Sequence, residues 1–293
     1  MSGTTTSSSP SNGYNFVAIA NQATAYAFSV TMVFIVFTSL LNACVLWRRA
    51  LRLSSCTYYF LASIPPVLAY VIVTPLNTIL IYYFGFRMHS TPITCKIVQF
   101  VVYGSPLLYG SMLICASVDR FCASSASARL RQFSRVYIAR RVIFCVWILI
   151  ILYMIPFLIS YYYDYNSILS NKCVAYTSTL ATIYLMSRVI LYYFAIPIIL
   201  GIFGLLTIKN IRSQTCRVFV EGRSNTHRRT EGQLARMLVI QVAVYFMFFT
   251  PSGITYIMVT FIPSLNTTYY NTIRTLTVVW QKEAFLLRFS STF

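Results

Sequence analysis

An aspartate and an arginine stand side by side at the end of a long uncharged stretch. No residue between Lys96 and Asp119 carries a charge. A helix from Cys95 to Arg120 would measure about 37 Å, which exceeds the roughly 30 Å of a bilayer core. The stretch therefore predicts a membrane-spanning helix with Cys95 at one face and Asp119-Arg120 at the other. We expect the charge pair to be only partly solvated there, which makes it a candidate switch.

The composition predicts that other membrane helices surround this one. Hydrophobic residues make up 58% of the 293 residues, charged residues only 10%, and the mean hydropathy is +0.69. These values are typical of a multi-pass membrane protein. The sequence has no alternating ten-residue segments of the kind that build a β-barrel, so helices must satisfy the backbone in lipid. The predicted fold class is an all-α membrane bundle.

Hydrophobic runs divide the chain into spans. Six segments predict membrane helices, at about 24–47, 57–83, 93–118, 138–160, 179–208 and 233–262. A seventh, 269–288, is expected to be short or irregular because Arg274, Lys282 and Glu283 interrupt it. Together they define a seven-helix domain over 24–280. Residues 1–23, rich in Ser and Thr, predict a flexible extracellular tail, and 281–293 an atypical carboxyl-terminal end.

Basic residues orient these spans. The net charge of +18 comes largely from arginines in the loops after the first, third and fifth segments. Loops that face the cytoplasm collect Lys and Arg, so the amino terminus is predicted to lie outside. The charge is thus explained by topology and does not require a nucleic-acid partner. Attraction of the basic loops to anionic membrane lipids is a secondary expectation.

This topology also separates the eight cysteines. Only Cys95 and Cys173 fall on the oxidising side, one at the start of the third segment and one between the fourth and fifth. A disulfide between them is predicted, with two free thiols as the alternative.

Several residues match landmarks of a known family. Cys95 and Arg120 have the separation of that family's third-helix cysteine and arginine, and ASVDRF is similar to its Asp-Arg-Tyr motif, with Phe121 for tyrosine. Further matches are Asn42, Trp147, Cys173, Pro197, Glu231 and Pro251. Over about residues 24–280 the chain resembles rhodopsin-like G-protein-coupled receptors.

The resemblance implies a receptor at the plasma membrane, without cofactor or enzymatic activity. It would bind an extracellular ligand and signal through a heterotrimeric G protein when the third and sixth helices separate. Arg120 would be held at rest by Asp119 and Glu231. Simpler interpretations remain open: Asn42 as an amide bonded to backbone, Trp147 as packing, and Glu231 as an acid favoured in the first turn of a helix. Pro197 and Pro251 are equally consistent with ordinary kinks.

Some family features are absent from the sequence. No acid precedes Asp119, so the second-helix aspartate that binds sodium is missing. Phe249 stands where the family usually has tryptophan, and no Asn-Pro-x-x-Tyr motif follows. These departures predict weak coupling and leave a second interpretation, a truncated, non-signalling receptor-like protein that modulates a full-length partner. A transporter or channel is less favoured because the spans lack acids.

The outer halves of the helices offer candidate ligand contacts. These are Gln99, Val102, Tyr103, Arg188 and Tyr256. Val102 occupies the position where amine receptors of the family carry an aspartate, which disfavours an amine ligand. Aromatic residues with a basic rim favour a peptide-like ligand. Asn266, in Asn-Thr-Thr, is a candidate glycosylation site. No paired carboxylates or histidine cluster indicates an enzyme or a metal site.

Overall fold

The computed structural model describes residues 11–48, 54–163, 173–175 and 179–218, and the single helical positions 243, 247, 254 and 258. The elements, in chain order, are α1 Ser11–Leu46, α2 Ser55–Phe84, α3 Pro92–Ala123, α4 Ala128–Phe133, α5 Val136–Ser160, β1 Tyr161–Tyr163, β2 Cys173–Ala175, α6 Thr179–Val189, a π-helical segment Ile190–Ala195, and α7 Ile196–Val218.

Four of the described helices are long and apolar enough to cross a membrane. They span Ser55–Phe84, Pro92–Ala123, Val136–Ser160 and Thr182–Asn210. They correspond to the second to fifth predicted segments. In α1 a shorter apolar stretch, Met32–Leu46, lies inside the first. The predicted segments 233–262 and 269–288 lie outside the described residues, apart from the four helical positions in the former, so a count of six spans stays a prediction.

The first helix begins earlier than the sequence pattern predicts. Helix α1 starts at Ser11, within the stretch predicted to be a flexible tail. No proline occurs between Pro10 and Pro65, and a helix needs such a breaker or a capping residue to end it. Hydropathy marks where lipid begins, but it does not mark where the backbone stops being helical.

Helix α3 is the central element of the described bundle. It packs against α2, α5 and α7, while α1 packs against α2. Leu107, Met112, Leu113 and Ala116 of α3 are at most 4% exposed. At Gly110 the helices come very close, because an added Cβ would lie 2.8 Å from Cδ1 of Ile196. Glycine is therefore required for α3 and α7 to pack at this distance.

Local signals position the start of α3. Helix α2 ends at Gly85, whose φ of 65° is left-handed and whose N–H donates to the carbonyl of Ile81. Thr91 then caps α3: its hydroxyl accepts from the Thr94 N–H at 3.2 Å, and the Thr94 hydroxyl accepts from the Thr91 N–H at 3.1 Å. Pro92 follows at the first turn, where its missing N–H costs nothing. This cap places Cys95 in the first turn of α3.

A π-helical turn precedes Pro197. The fifth predicted segment is one continuous helical run in which α6 passes through Ile190–Ala195 into α7. Proline lacks the N–H that would bond to the preceding turn, and its ring crowds that turn, so the helix widens locally. The widened turn ends at Ala195, and the next residue, Ile196, lies against Gly110.

Candidate functional sites at the two ends of α3

The carboxylate of Asp119 collects three polar groups at one end of α3. The Ser55 hydroxyl at the start of α2 lies 2.7 and 2.9 Å from its two oxygens. The Ser134 hydroxyl, between α4 and α5, donates to Oδ1 at 2.9 Å. Nη2 of Arg120 completes the set with an ion pair to Oδ2 at 2.9 Å. We call Ser54, Ser55, Asp119, Arg120 and Ser134 the serine–aspartate cluster.

Arg120 belongs to the cluster through two contacts of one nitrogen. Besides the carboxylate, its Nη2 donates to the Ser54 hydroxyl at 3.2 Å. The Ser55 and Ser134 hydroxyls also lie 2.9 Å apart. The start of α2, the end of α3 and the segment before α5 are therefore joined through one carboxylate. Charge-assisted hydrogen bonds of this kind are about twice as strong as neutral ones.

The ion pair at the centre of the cluster is buried, which differs from the expectation of a partly solvated pair. Asp119 is 5% exposed and Arg120 is 6% exposed. The sequence places both residues at a helix end, but Ser55 and the segment between α4 and α5 cover them. Removing one partner of a buried ion pair leaves the other charge buried without a counter-ion. The pair is consequently a stronger constraint than an exposed ion pair would be.

The same end of α3 also contacts α7. The rings of Phe121 and Phe203 meet edge to face with centroids 5.7 Å apart. Asn210 Nδ2 lies 3.4 Å from the Ser124 hydroxyl. Phe121, which replaces the tyrosine of the family motif, thus packs against the fifth segment.

The opposite end of α3 is tied to the hairpin by a disulfide. Cys95 and Cys173 are bonded with their Cα atoms 5.7 Å apart. Cys173 lies on β2, which pairs antiparallel with β1 so that Tyr163 faces Cys173 and Tyr161 faces Ala175. The disulfide and the strand pairing therefore hold β1, which directly follows α5, close to the Cys95 end of α3.

An aromatic group lies beside this hairpin, and Arg188 stacks on it. The guanidinium carbon of Arg188 is 4.0 Å from the centroid of Tyr103 and 5.9 Å from that of Phe157. Phe157 is fully buried and packs on Tyr161 at 4.6 Å. We call Tyr103, Phe157, Tyr161, Tyr184 and Arg188 the outer aromatic cluster. Among the described residues the only ion pair is Asp119–Arg120, so Arg188 has no carboxylate partner there.

The other predicted ligand contacts are distributed around this cluster. Gln99 and Val102 are half-buried on α3. Gln99 Nε2 lies 3.9 Å from the Cys173 sulfur, and Val102 packs against the core. The structure brings Gln99 close to the disulfide and Tyr103 close to Arg188. Tyr256 lies outside the described residues.

The landmark residues occupy interior positions where they are described. Asn42 is 7% exposed on α1. Trp147 is half-buried against the core, and its indole N–H has no hydrogen-bond acceptor among the described residues. Pro197 is buried at the start of α7. Glu231, Phe249, Pro251 and Asn266 lie outside the described residues, so their roles stay predictions.

Sequence reasoning missed the three serines, and Phe157 and Tyr184 of the outer aromatic cluster. Ser54 and Ser55 begin α2, where hydroxyl residues are common as helix caps, and Ser134 lies in a basic loop. Nothing in their local pattern indicates a distant carboxylate. Ser55 and Asp119 are 64 residues apart in sequence. Only the packing of α2 against α3 brings them together.

Comparison with known proteins agrees with this arrangement. The family described as 7 transmembrane receptor (rhodopsin family) matches residues 41–282, which is most of the chain. No curated protein matches the sequence significantly. The matched region contains both ends of α3, with the disulfide at one and the aspartate–arginine pair at the other. The chain therefore belongs to the rhodopsin family of seven-transmembrane receptors.

Proposed function

We propose that this protein is a plasma-membrane G-protein-coupled receptor with its amino terminus outside, which binds a peptide-like ligand and activates a heterotrimeric G protein. The family supports receptor function in general. The observation that carries the proposal is the buried serine–aspartate cluster. In this cluster Ser55 and Ser134, from two other elements, bond to the carboxylate of Asp119, while Asp119 and Ser54 hold Arg120. A purely structural helix end would not need this arrangement.

Activation in this proposal separates the third and sixth segments. At rest Asp119 holds Arg120, and a contribution of Glu231 remains a prediction from the resemblance. A ligand that prefers the separated state shifts the population toward it. Release of Arg120 then opens a surface for the G protein. The basic loops on this side provide electrostatic attraction to an acidic partner surface and to anionic lipid.

Basal activity tests the switch without a known ligand. The variant Asp119→Asn keeps the shape of the side chain but removes its charge, so Arg120 is held less tightly. We expect basal G-protein activation to rise several-fold at equal surface expression. Adding Arg120→Ala should abolish that rise. Ser127→Ala, which changes an exposed serine of the same loop outside the cluster, is the matched control.

Surface labelling tests the orientation in the same cells. An epitope before Met1 should be reached by antibody without permeabilisation. A protein present at the surface that activates no class of G protein, even as Asp119→Asn, would contradict coupling.

The ligand class is proposed from the outer aromatic cluster. Arg188 stacks on Tyr103 and has no carboxylate partner among the described residues. Guanidinium groups favour planar carboxylates, which they can bind through two hydrogen bonds. A peptide with an accessible carboxylate beside an aromatic side chain would complement this cluster. The hairpin held by the disulfide lies at the same end.

A peptide screen tests this ligand class. Peptides that activate the receptor should lose potency when their carboxylate is amidated, and Arg188→Gln should remove that difference. Lys96→Gln, which changes an exposed cation near the same end of α3, should leave it intact. Equal potency of acid and amide forms on the unmodified receptor would contradict a carboxylate anchor.

A further inference from the structure

Ser134 has a hydrogen-bonded hydroxyl and lies between two exposed residues. Its side chain is half-buried and donates to Asp119 at 2.9 Å. The residues on either side, Phe133 and Arg135, are exposed, and Phe133 is 62% exposed. A short movement of this segment would therefore present the hydroxyl to solvent without unfolding a membrane helix.

The sequence before Ser134 is basic in a specific pattern. Arg129 and Arg131 stand five and three residues before it, in Arg-Leu-Arg-Gln-Phe-Ser, and both are exposed. No other serine or threonine of the sequence has arginines at both positions. Guanidinium groups pair strongly with carboxylates, so two exposed arginines at this spacing offer two contacts to a protein kinase whose substrate groove is lined with acidic residues.

We propose that Ser134 is a phosphorylation site for an arginine-directed kinase, and that its bond to Asp119 controls access to it. While the serine–aspartate cluster is closed, the Ser134 hydroxyl is hydrogen-bonded to Asp119 and a kinase cannot reach it. When the cluster opens, the segment leaves Asp119 and becomes a substrate. The proposal depends on the proposed function only in placing this loop on the cytosolic side, where ATP and kinases are present.

The transfer itself is ordinary kinase chemistry. The Ser134 Oγ attacks the γ-phosphorus of ATP and forms a new O–P bond. The bond from that phosphorus to the β–γ bridging oxygen breaks, and ADP leaves. The hydroxyl proton passes to the catalytic aspartate of the kinase.

The product cannot return to the closed cluster. A phosphoserine carries about −1.5 to −2 charges at pH 7. The Ser134 oxygen in the closed cluster lies 2.9 Å from the carboxylate of Asp119, so two anions would be forced together. The exposed guanidinium groups of Arg131 and Arg135 and the start of α5 offer a favourable alternative. Phosphorylation therefore keeps the segment away from Asp119.

A kinase assay on the full chain tests the site. The purified protein in lipid nanodiscs is treated with ATP and the catalytic domain of a kinase that selects arginine five and three residues before its target serine, and phosphate at each residue is followed by peptide mass spectrometry. We expect labelling of Ser134, reduced about tenfold or more by R129Q/R131Q because charge-assisted pairs with the kinase are lost. The control R141Q changes an exposed arginine outside the motif and should leave the rate unchanged. Labelling only at other residues would overturn the assignment.

Two further variants test control by Asp119. D119N weakens the bond to Ser134 and S55A removes a neighbouring member of the cluster, so each should raise the rate of Ser134 labelling several-fold. Retention of the Cys95–Cys173 disulfide and a single size-exclusion peak establish that each is folded. If both folded variants are labelled at the unmodified rate, control by Asp119 is refuted.

Hydrogen exchange tests the consequence. Amides of residues 124–135 should exchange faster after phosphorylation, and S134A treated with kinase should show no such change. Unchanged exchange in the phosphorylated protein would refute the release of the segment. All these measurements need neither a ligand nor a G protein. A chain that is phosphorylated but does not couple would contradict the proposed function alone, and one that couples but is not labelled would contradict this proposal alone.

Discussion

The two ends of α3 satisfy their charges in different ways. At the Asp119 end, the guanidinium group of Arg120 is paired with a carboxylate from its own chain, and hydroxyl groups complete the arrangement. At the Cys95 end, the guanidinium group of Arg188 lies on aromatic rings without a carboxylate partner among the described residues. In the Asp119 cluster the charge of the cation is already matched by an anion of the same chain. A cation that lies on aromatic rings can still bind an anion.

The two ends of α3 are also held together by different kinds of contact. The outer end has a covalent bond and stacked rings, which remain in place when neighbouring helices shift. The other end has hydrogen bonds and one ion pair joining its polar groups, and none of these contacts is covalent. In the proposed function, the disulfide-bonded end is the fixed end that faces the ligand, and the Asp119 end is the one that switches.

The largest effect is expected from Asp119→Ala. This change leaves the buried guanidinium of Arg120 without its carboxylate and the hydroxyls of Ser55 and Ser134 without their acceptor. Loss of one partner of a buried pair costs about 3–5 kcal/mol. Thermal unfolding in detergent should show a large decrease in Tm. Asp119→Asn, which keeps a hydrogen-bond acceptor, should lose less. Equal Tm values for the unmodified protein and Asp119→Ala would mean that the cluster does not stabilise this end.

A smaller loss is expected from breaking the disulfide. Cys95→Ala should destabilise the protein by about 2–4 kcal/mol because the 78-residue separation is no longer closed in the unfolded chain. Cys173→Ala and the double variant should show the same loss, since the three proteins lack the same bond. The free thiol Cys44, exposed on α1, provides a control as Cys44→Ala. Additive losses in the double variant would argue against a shared bond.

The middle of α3 tests how closely this helix packs against α7. Gly110→Ala forces a methyl group against Ile196, where 2.8 Å is available. Overpacking of this kind costs about 1–3 kcal/mol. The pair Gly110→Ala/Ile196→Val should recover part of that loss, measured again by Tm. Gly104→Ala is the control, because the nearest atom there lies at an ordinary 3.6 Å. Equal effects of the two glycine substitutions would contradict a specific close contact.

The smallest effect is expected from Arg188→Lys. Lysine keeps the charge but loses the planar contact with Tyr103, which is worth about 0.5–2 kcal/mol. Tm should fall slightly, while Arg87→Lys, away from the cluster, should leave it unchanged. A double-mutant cycle with Tyr103→Leu isolates the stacking contribution. An interaction energy of zero in that cycle would remove Arg188 from the outer aromatic cluster.

The sequence alone determined the class of the protein and the pairing of Cys95 with Cys173. Hydropathy and charge predicted a helical membrane protein, and the second to fifth segments correspond to long apolar helices. The compartment argument predicted Cys95 and Cys173 as partners, and they are bonded. These features follow from solvation of individual segments and from chemistry that needs only two residues, so they can be inferred without knowing how the helices pack.

Only the tertiary structure decided how the charges are surrounded. Asp119 and Arg120 were expected to be partly solvated, but α2 and the segment before α5 bury them. Ser55, Ser134 and Phe157 carry no local signal of their partners, since each contact depends on which helices become neighbours. Helix α1 likewise extends to Ser11, because helix length follows backbone hydrogen bonding and not hydropathy alone. Segment hydropathy acts locally, whereas burial of a polar group depends on distant parts of the chain that pack around it.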